Sequence, residues 1–159
     1  MSDQVVARFA HEILRALDET FEEERGVYLD KDTSLFKTLE TISAQEASRP
    51  VSQTCASIAA QVEHVRFSID FFADLMENID VGPVDWGEIW RTVREVSPAE
   101  WEESKNRLKA SYQRLLRVVK GFDTWEGERD ISGSLGILVH TAYHLGEIRQ
   151  AMCTVKAGH

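Results

Sequence analysis

Four long stretches of this chain carry apolar residues at steps of three and four, and little within them breaks a helix. The first series is Val5, Val6, Phe9, Ile13, Leu17 and Phe21, and the second is Cys55, Ile58, Val62, Val65, Ile69, Phe72 and Met76. Trp101, Leu108, Tyr112, Leu115, Val119 and Phe122 make the third, and Leu138, Thr141, Leu145, Ile148 and Met152 the fourth. That spacing is the seam of an amphipathic helix packed on its neighbours, whereas a half-buried strand alternates every second residue. Only three prolines and nine glycines punctuate 159 residues. The expected class is therefore all-α: a four-helix bundle in one domain, residues 1–159, with a long structured connector between the first and second helices.

Local signals set the expected boundaries. The first helix runs from about Asp3 to Glu24 and stops at Gly26. The connector, 26 to 51, holds a shorter helical piece capped by Thr33 or Ser34, with Leu35, Leu39 and Ile42 on its apolar side, and Arg49-Pro50 ends it. The second long helix spans about Ser52 to Asn78. Gly82, Pro83 and Gly87 make Asp80 to Val96 a loop with one helical turn. Ser97-Pro98-Ala99-Glu100 combines an N-cap serine, a proline at the first helical position and a glutamate that closes a capping box, so a third helix starts there and runs to Gly121. Residues 123 to 133 read as a loop, Ser134 to Val155 as the fourth helix, and Lys156 to His159 as a frayed tail. Arg107, Arg114 and Arg117 fall opposite the apolar stripe of the third helix and are expected to face water.

Eighteen basic against 27 acidic residues give a formal charge of −9, and no basic patch interrupts it, so the chain repels phosphate backbones and no nucleic-acid partner is expected. No apolar run approaches the roughly 18 residues that span a bilayer, so no membrane partner is expected. Two cysteines, Cys55 and Cys153, cannot build a disulfide framework, and the N-terminus lacks a signal-peptide pattern. A soluble cytoplasmic protein is the expectation.

The histidines carry the chemistry. His140 and His144 stand four apart on the fourth helix, which brings their Cβ atoms to roughly 6 Å on one face. His64 borders the seam of the second helix beside Val65. If the three converge, they supply three neutral nitrogen ligands and leave a fourth position open, the arrangement of a catalytic zinc site, with nickel equally suited to imidazole. Each histidine lacks a carboxylate three residues before it, which removes the Glu-x-x-His pairs of a di-iron bundle. His-Glu-x-x-His and the glycine-rich phosphate and dinucleotide motifs are absent too. Cys55 and Cys153 lie nine residues from His64 and His144, half-way round a helix, so their thiols are expected to point away. Glu63 and Glu147 could orient an imidazole but are expected to face water, Tyr143 to pack, and Arg149 to lie near the site or pair with a neighbour. Trp86, Trp90, Trp101 and Trp125 read as caps on the helix ends or as pocket lining. His11 and His159 have no assigned role.

Val62-Glu63-His64 in the second helix, with His140-Thr-Ala-Tyr-His144-Leu-Gly146-Glu-Ile-Arg149-Gln in the fourth, resembles the DinB/YfiT-like superfamily of bacterial four-helix bundles. The connector is similar as well, from Ser34-Leu35 through Leu39 and Ile42 to Ser57-Ile58-Ala59, so the resemblance spans nearly the whole chain. It implies a divalent metal, usually zinc or nickel, held by His64, His140 and His144. It also implies a thiol-dependent enzyme, in which the metal activates a low-molecular-weight thiol such as bacillithiol, mycothiol or glutathione for transfer or isomerisation.

Three functions follow as expectations. The first is a metal-dependent enzyme, a thiol S-transferase acting on a small-molecule substrate, with no catalytic residue assigned beyond the ligands. The second keeps the metal but makes water the nucleophile of a small-substrate hydrolase. The third is a non-catalytic helical module, as a homodimer, with structural or relic histidines.

Overall fold

The computed structural model describes residues 3 to 157, and among them the chain forms seven helices and no strand. Four are long: α1 (Asp3–Phe21), α4 (Ile58–Met76), α6 (Pro98–Lys120) and α7 (Asp130–Ala157). Three are short: α2 (Leu35–Glu40) and α3 (Ala44–Ser48) between α1 and α4, and α5 (Glu88–Thr92) between α4 and α6. The all-α expectation holds, and no helix among the described residues is long and apolar enough to cross a membrane.

One core joins the long helices. α4 packs on both α6 and α7, and α1 packs on α6 and α7 from the other side. Leu17 and Phe21 of α1, Val62, Val65 and Ile69 of α4, Leu108 and Leu115 of α6, and Ile137 and Ile148 of α7 are all fully buried in it. Phe21 stacks on Tyr112 at 4.2 Å between ring centroids, which locks α1 to α6. Trp101, at the start of α6, is buried and donates from Nε1 to the carbonyl of Ile42 at 2.8 Å, tying α6 to the α2–α3 segment.

The connector after α1 is held by a buried carboxylate. Glu19 accepts from the backbone N–H of Arg25, Val27, Tyr28 and Leu29, at 2.5–2.8 Å. Gly26 turns within this loop at φ +71°, a left-handed conformation natural to glycine. Ser34 caps α2 by backbone conformation, and its hydroxyl donates to the carbonyl of Glu22 at 2.6 Å. Both Ser43 and Ser97 close capping boxes, with Glu46 and Glu100 respectively.

Several boundaries and faces differ from expectation: α1 ends at Phe21, short of Glu24, and the connector holds two short helices, α2 and α3, in place of one. α4 starts at Ile58, because Ser57 accepts from the Ala60 N–H as its N-cap and residues 51–55 form turns. α7 starts at Asp130, a turn before Ser134, and the Asp130 carboxylate accepts from the Gly127 N–H at 2.8 Å. Arg114 does not face free water. It reaches from α6 to Asp74 of α4 at 2.6 Å and to Glu77 just past the end of α4, while Arg107 reaches Glu63 at 3.5 Å. The far side of the α6 wheel meets α4 at Arg114, whereas Arg107 and Arg117 stay exposed to solvent as expected.

Glycines set how closely α7 approaches α4. A Cβ at Gly133 would stand 2.6 Å from Cγ of Met76, and one at Gly136 would stand 2.8 Å from Cε1 of Phe72. Both distances are too short for real atoms, so the two helices meet here because α7 lacks side chains. His140 follows Gly136 by one turn, on the part of α7 held close to α4.

Candidate metal centre

α4 and α7 bring His64, His140 and His144 together. Ring centroids are 5.0 Å apart for His64 and His140, 4.8 Å for His64 and His144, and 4.6 Å for His140 and His144. One ring nitrogen from each lies within 4.8 Å of the other two, so the group could hold a metal ion. Neutral imidazole nitrogens are among the usual ligands of zinc.

The surroundings prepare the rings as neutral donors. His64 and His144 are buried and His140 is half-buried. Burial lowers the pKa of all three, and the neighbouring imidazoles add to this at His64, which falls to about 4. The Glu147 carboxylate partly opposes the effect at His144 and His140.

Hydrogen bonds orient His144. Its Nδ1 lies 2.9 Å from Glu147 Oε2 and 3.3 Å from Gln61 Oε1. Both partners are acceptors, so Nδ1 carries the proton and donates, which leaves the lone pair on Nε2. The water-facing expectation for Glu147 is thereby corrected: three residues on, it returns along α7 to the imidazole. Glu63 instead pairs with Arg66 at 2.6 Å. His140 Nε2 is buried and has no hydrogen-bond partner among the described residues. A buried imidazole nitrogen without a partner is costly in a finished fold, and a ligand at the centre would relieve it.

Trp90 of α5 lies over the centre, its ring 4.5 Å from that of His64 and 6.4 Å from that of His144. It alone of the four tryptophans contacts these rings. Trp86 is half exposed against Phe67 and Phe71, Trp101 is in the core, and Trp125 is buried against Phe9 and Phe122. A cleft of about 710 Å³ opens beside His144, with Gln61, Trp90 and Tyr143 among its walls. Cys55 lines it too. Cys55 sits in the turn before α4 and not on the helix that its spacing suggests, with Ser52 Oγ 3.1 Å from its sulfur. Cys153 is exposed on α7.

Arg149 turns elsewhere, donating to Thr38 Oγ1 of α2 at 3.2 Å. His11 is exposed on α1, and His159 lies outside the described residues. Compared with known proteins, the chain matches no family model, no curated protein and no solved structure.

Proposed function

We propose that this chain is a four-helix bundle of the DinB/YfiT-like kind, in which α1, α4, α6 and α7 are the bundle helices and α2 and α3 belong to the connector. We further propose that it is a metal-dependent enzyme holding one zinc or nickel ion through His64, His140 and His144. The observation that carries the reading is the convergence of three neutral, largely buried imidazoles beside a cleft of about 710 Å³. Core histidines packed only for stability would be expected to pair with hydrogen-bond partners, and His140 Nε2 has none.

When bound, the ion supplies positive charge that stabilises a low-molecular-weight thiol as its thiolate near neutral pH. The residues of the chain do the rest. Glu147 and Gln61 keep the proton on Nδ1 of His144, so that Nε2 remains a donor. Trp90 shields the His64 side from water. His64, His140 and His144 would hold the ion, and the cleft beside His144 would admit the small thiol and its electrophile. In the transfer the sulfur forms a new bond to carbon, a leaving group departs with its electron pair, and the thiol proton passes to solvent.

The test is turnover of 1-chloro-2,4-dinitrobenzene by metal-loaded protein with and without a panel of small thiols. Thiol-dependent release of chloride that disappears in His144→Ala is the expected result. Ester hydrolysis without added thiol would assign water as the nucleophile, and neither activity would leave the centre a structural one.

A further inference from the structure

Gly146 sits in the middle of α7, where glycine is unfavourable because it gains backbone freedom on unfolding and packs nothing. Gly133 and Gly136 have a packing reason, since Met76 and Phe72 occupy the space a Cβ would need. Gly146 has none: a Cβ there would meet nothing within 4 Å. Instead it lines the cleft beside His144, two residues from that imidazole in sequence and next to Glu147. The missing side chain leaves room at the helix surface, and the fold itself does not use that room.

The walls say what fits. Val51, Ala56, Trp90 and Ala151 give apolar surface, and Gln61 and Gln150 give neutral hydrogen-bonding groups. Glu147 is the one carboxylate among the lining residues, and no lysine or arginine lines the cleft. A volume of about 710 Å³ lies within the usual range for small organic ligands. An anionic group placed away from the histidines would find no cation and would face Glu147.

We infer that the cleft over Gly146 is the binding site for an uncharged organic molecule with a flat or apolar body, which lies against the α7 backbone at Gly146 and beside the Trp90 ring. Gly146 is then a specificity-determining position, and the lining offers no lysine or arginine to pair with a charge on the bound body. This rests on the reading of the histidine centre as the reacting end of the cleft.

The test uses two fluorescent probes that share an aromatic frame and differ in a sulfonate: neutral N-phenyl-1-naphthylamine and anionic 1-anilinonaphthalene-8-sulfonate. Each is titrated into the full chain, metal-loaded and after chelation, and into Gly146→Leu and Gln150→Lys. The neutral probe should bind saturably, and Gly146→Leu should weaken it about tenfold or more, with metal content unchanged and Tm equal or higher. Gln150→Lys should add affinity for the sulfonate. Absence of saturable neutral-probe binding, indifference to Gly146→Leu, or Gly146-sensitive binding of the sulfonate as tight as that of the neutral probe would each overturn the inference. Binding of the neutral probe is read independently of metal, so loss of the metal reading and loss of this one give different results.

Discussion

Glu147 Oε2 lies 2.9 Å from Nδ1 of His144, one turn away on the same face of α7, and this contact decides which imidazole nitrogen is free. A carboxylate behind a ligand histidine fixes its tautomer and raises its basicity. Glu147→Gln keeps the shape and removes the charge, so metal affinity is expected to fall about ten- to a hundredfold. Competition against a chromophoric chelator measures it. An unchanged affinity would show that Gln61 alone suffices to orient the ring.

The buried carboxylate of Glu19 predicts a pH dependence of stability. Burial pushes its pKa up, but the four backbone N–H donors of Arg25, Val27, Tyr28 and Leu29 outweigh that, and it falls from 4.5 to about 2. Because the folded value is the lower one, its contribution is complete above about pH 4.5 and is lost as pH falls toward 2. Glu19→Gln is expected to cost about 2 kcal/mol at neutral pH, since hydrogen bonds to a charged acceptor are replaced by weaker ones. The gap between wild type and variant should narrow steadily below pH 4.5, as followed by urea unfolding at several pH values. A gap independent of pH would assign the loss to packing alone.

The glycines of α7 should respond in opposite directions. Gly136→Ala drives a methyl group into the Phe72 ring and is expected to cost about 1–3 kcal/mol. Gly146→Ala meets open space and is expected to stabilise by about 0.5–1 kcal/mol. Thermal unfolding of the two variants distinguishes them, and a destabilised Gly146→Ala would mean that the helix there needs its glycine for a reason other than the cleft.

The helical class and the placing of His64, His140 and His144 at the borders of their apolar faces were legible in the sequence, because both depend on a period of 3.6 residues along uninterrupted segments. The meeting of the two helices that joins them is tertiary. Nor did the sequence carry what depends on where a helix starts. Cys55 continues the apolar steps of α4 without belonging to the helix, since Ser57 and not Ser52 caps it. The 130–133 turn reads as a loop from its aspartate, serine and glycine, yet α7 includes it, with Gly133 close against Met76. Side-chain direction was the other hidden quantity. Spacing puts Glu147 one turn from His144, but only its rotamer distinguishes an imidazole partner from a solvated acid. For Arg114 the helical wheel gave the right face but not the neighbour, because α4 covers that face with Asp74 and Glu77 beyond the reach of any local pattern.

The central claim is that three histidines from two helices form one metal centre. Elemental analysis of untagged protein purified without chelator, beside the His140→Ala/His144→Ala double variant, tests it most directly. About one zinc or nickel per chain is expected in the wild type and none in the variant, with a fall in Tm on chelation seen only in the wild type. Wild type that takes up no metal after reloading, or a double variant that retains it, would contradict the account.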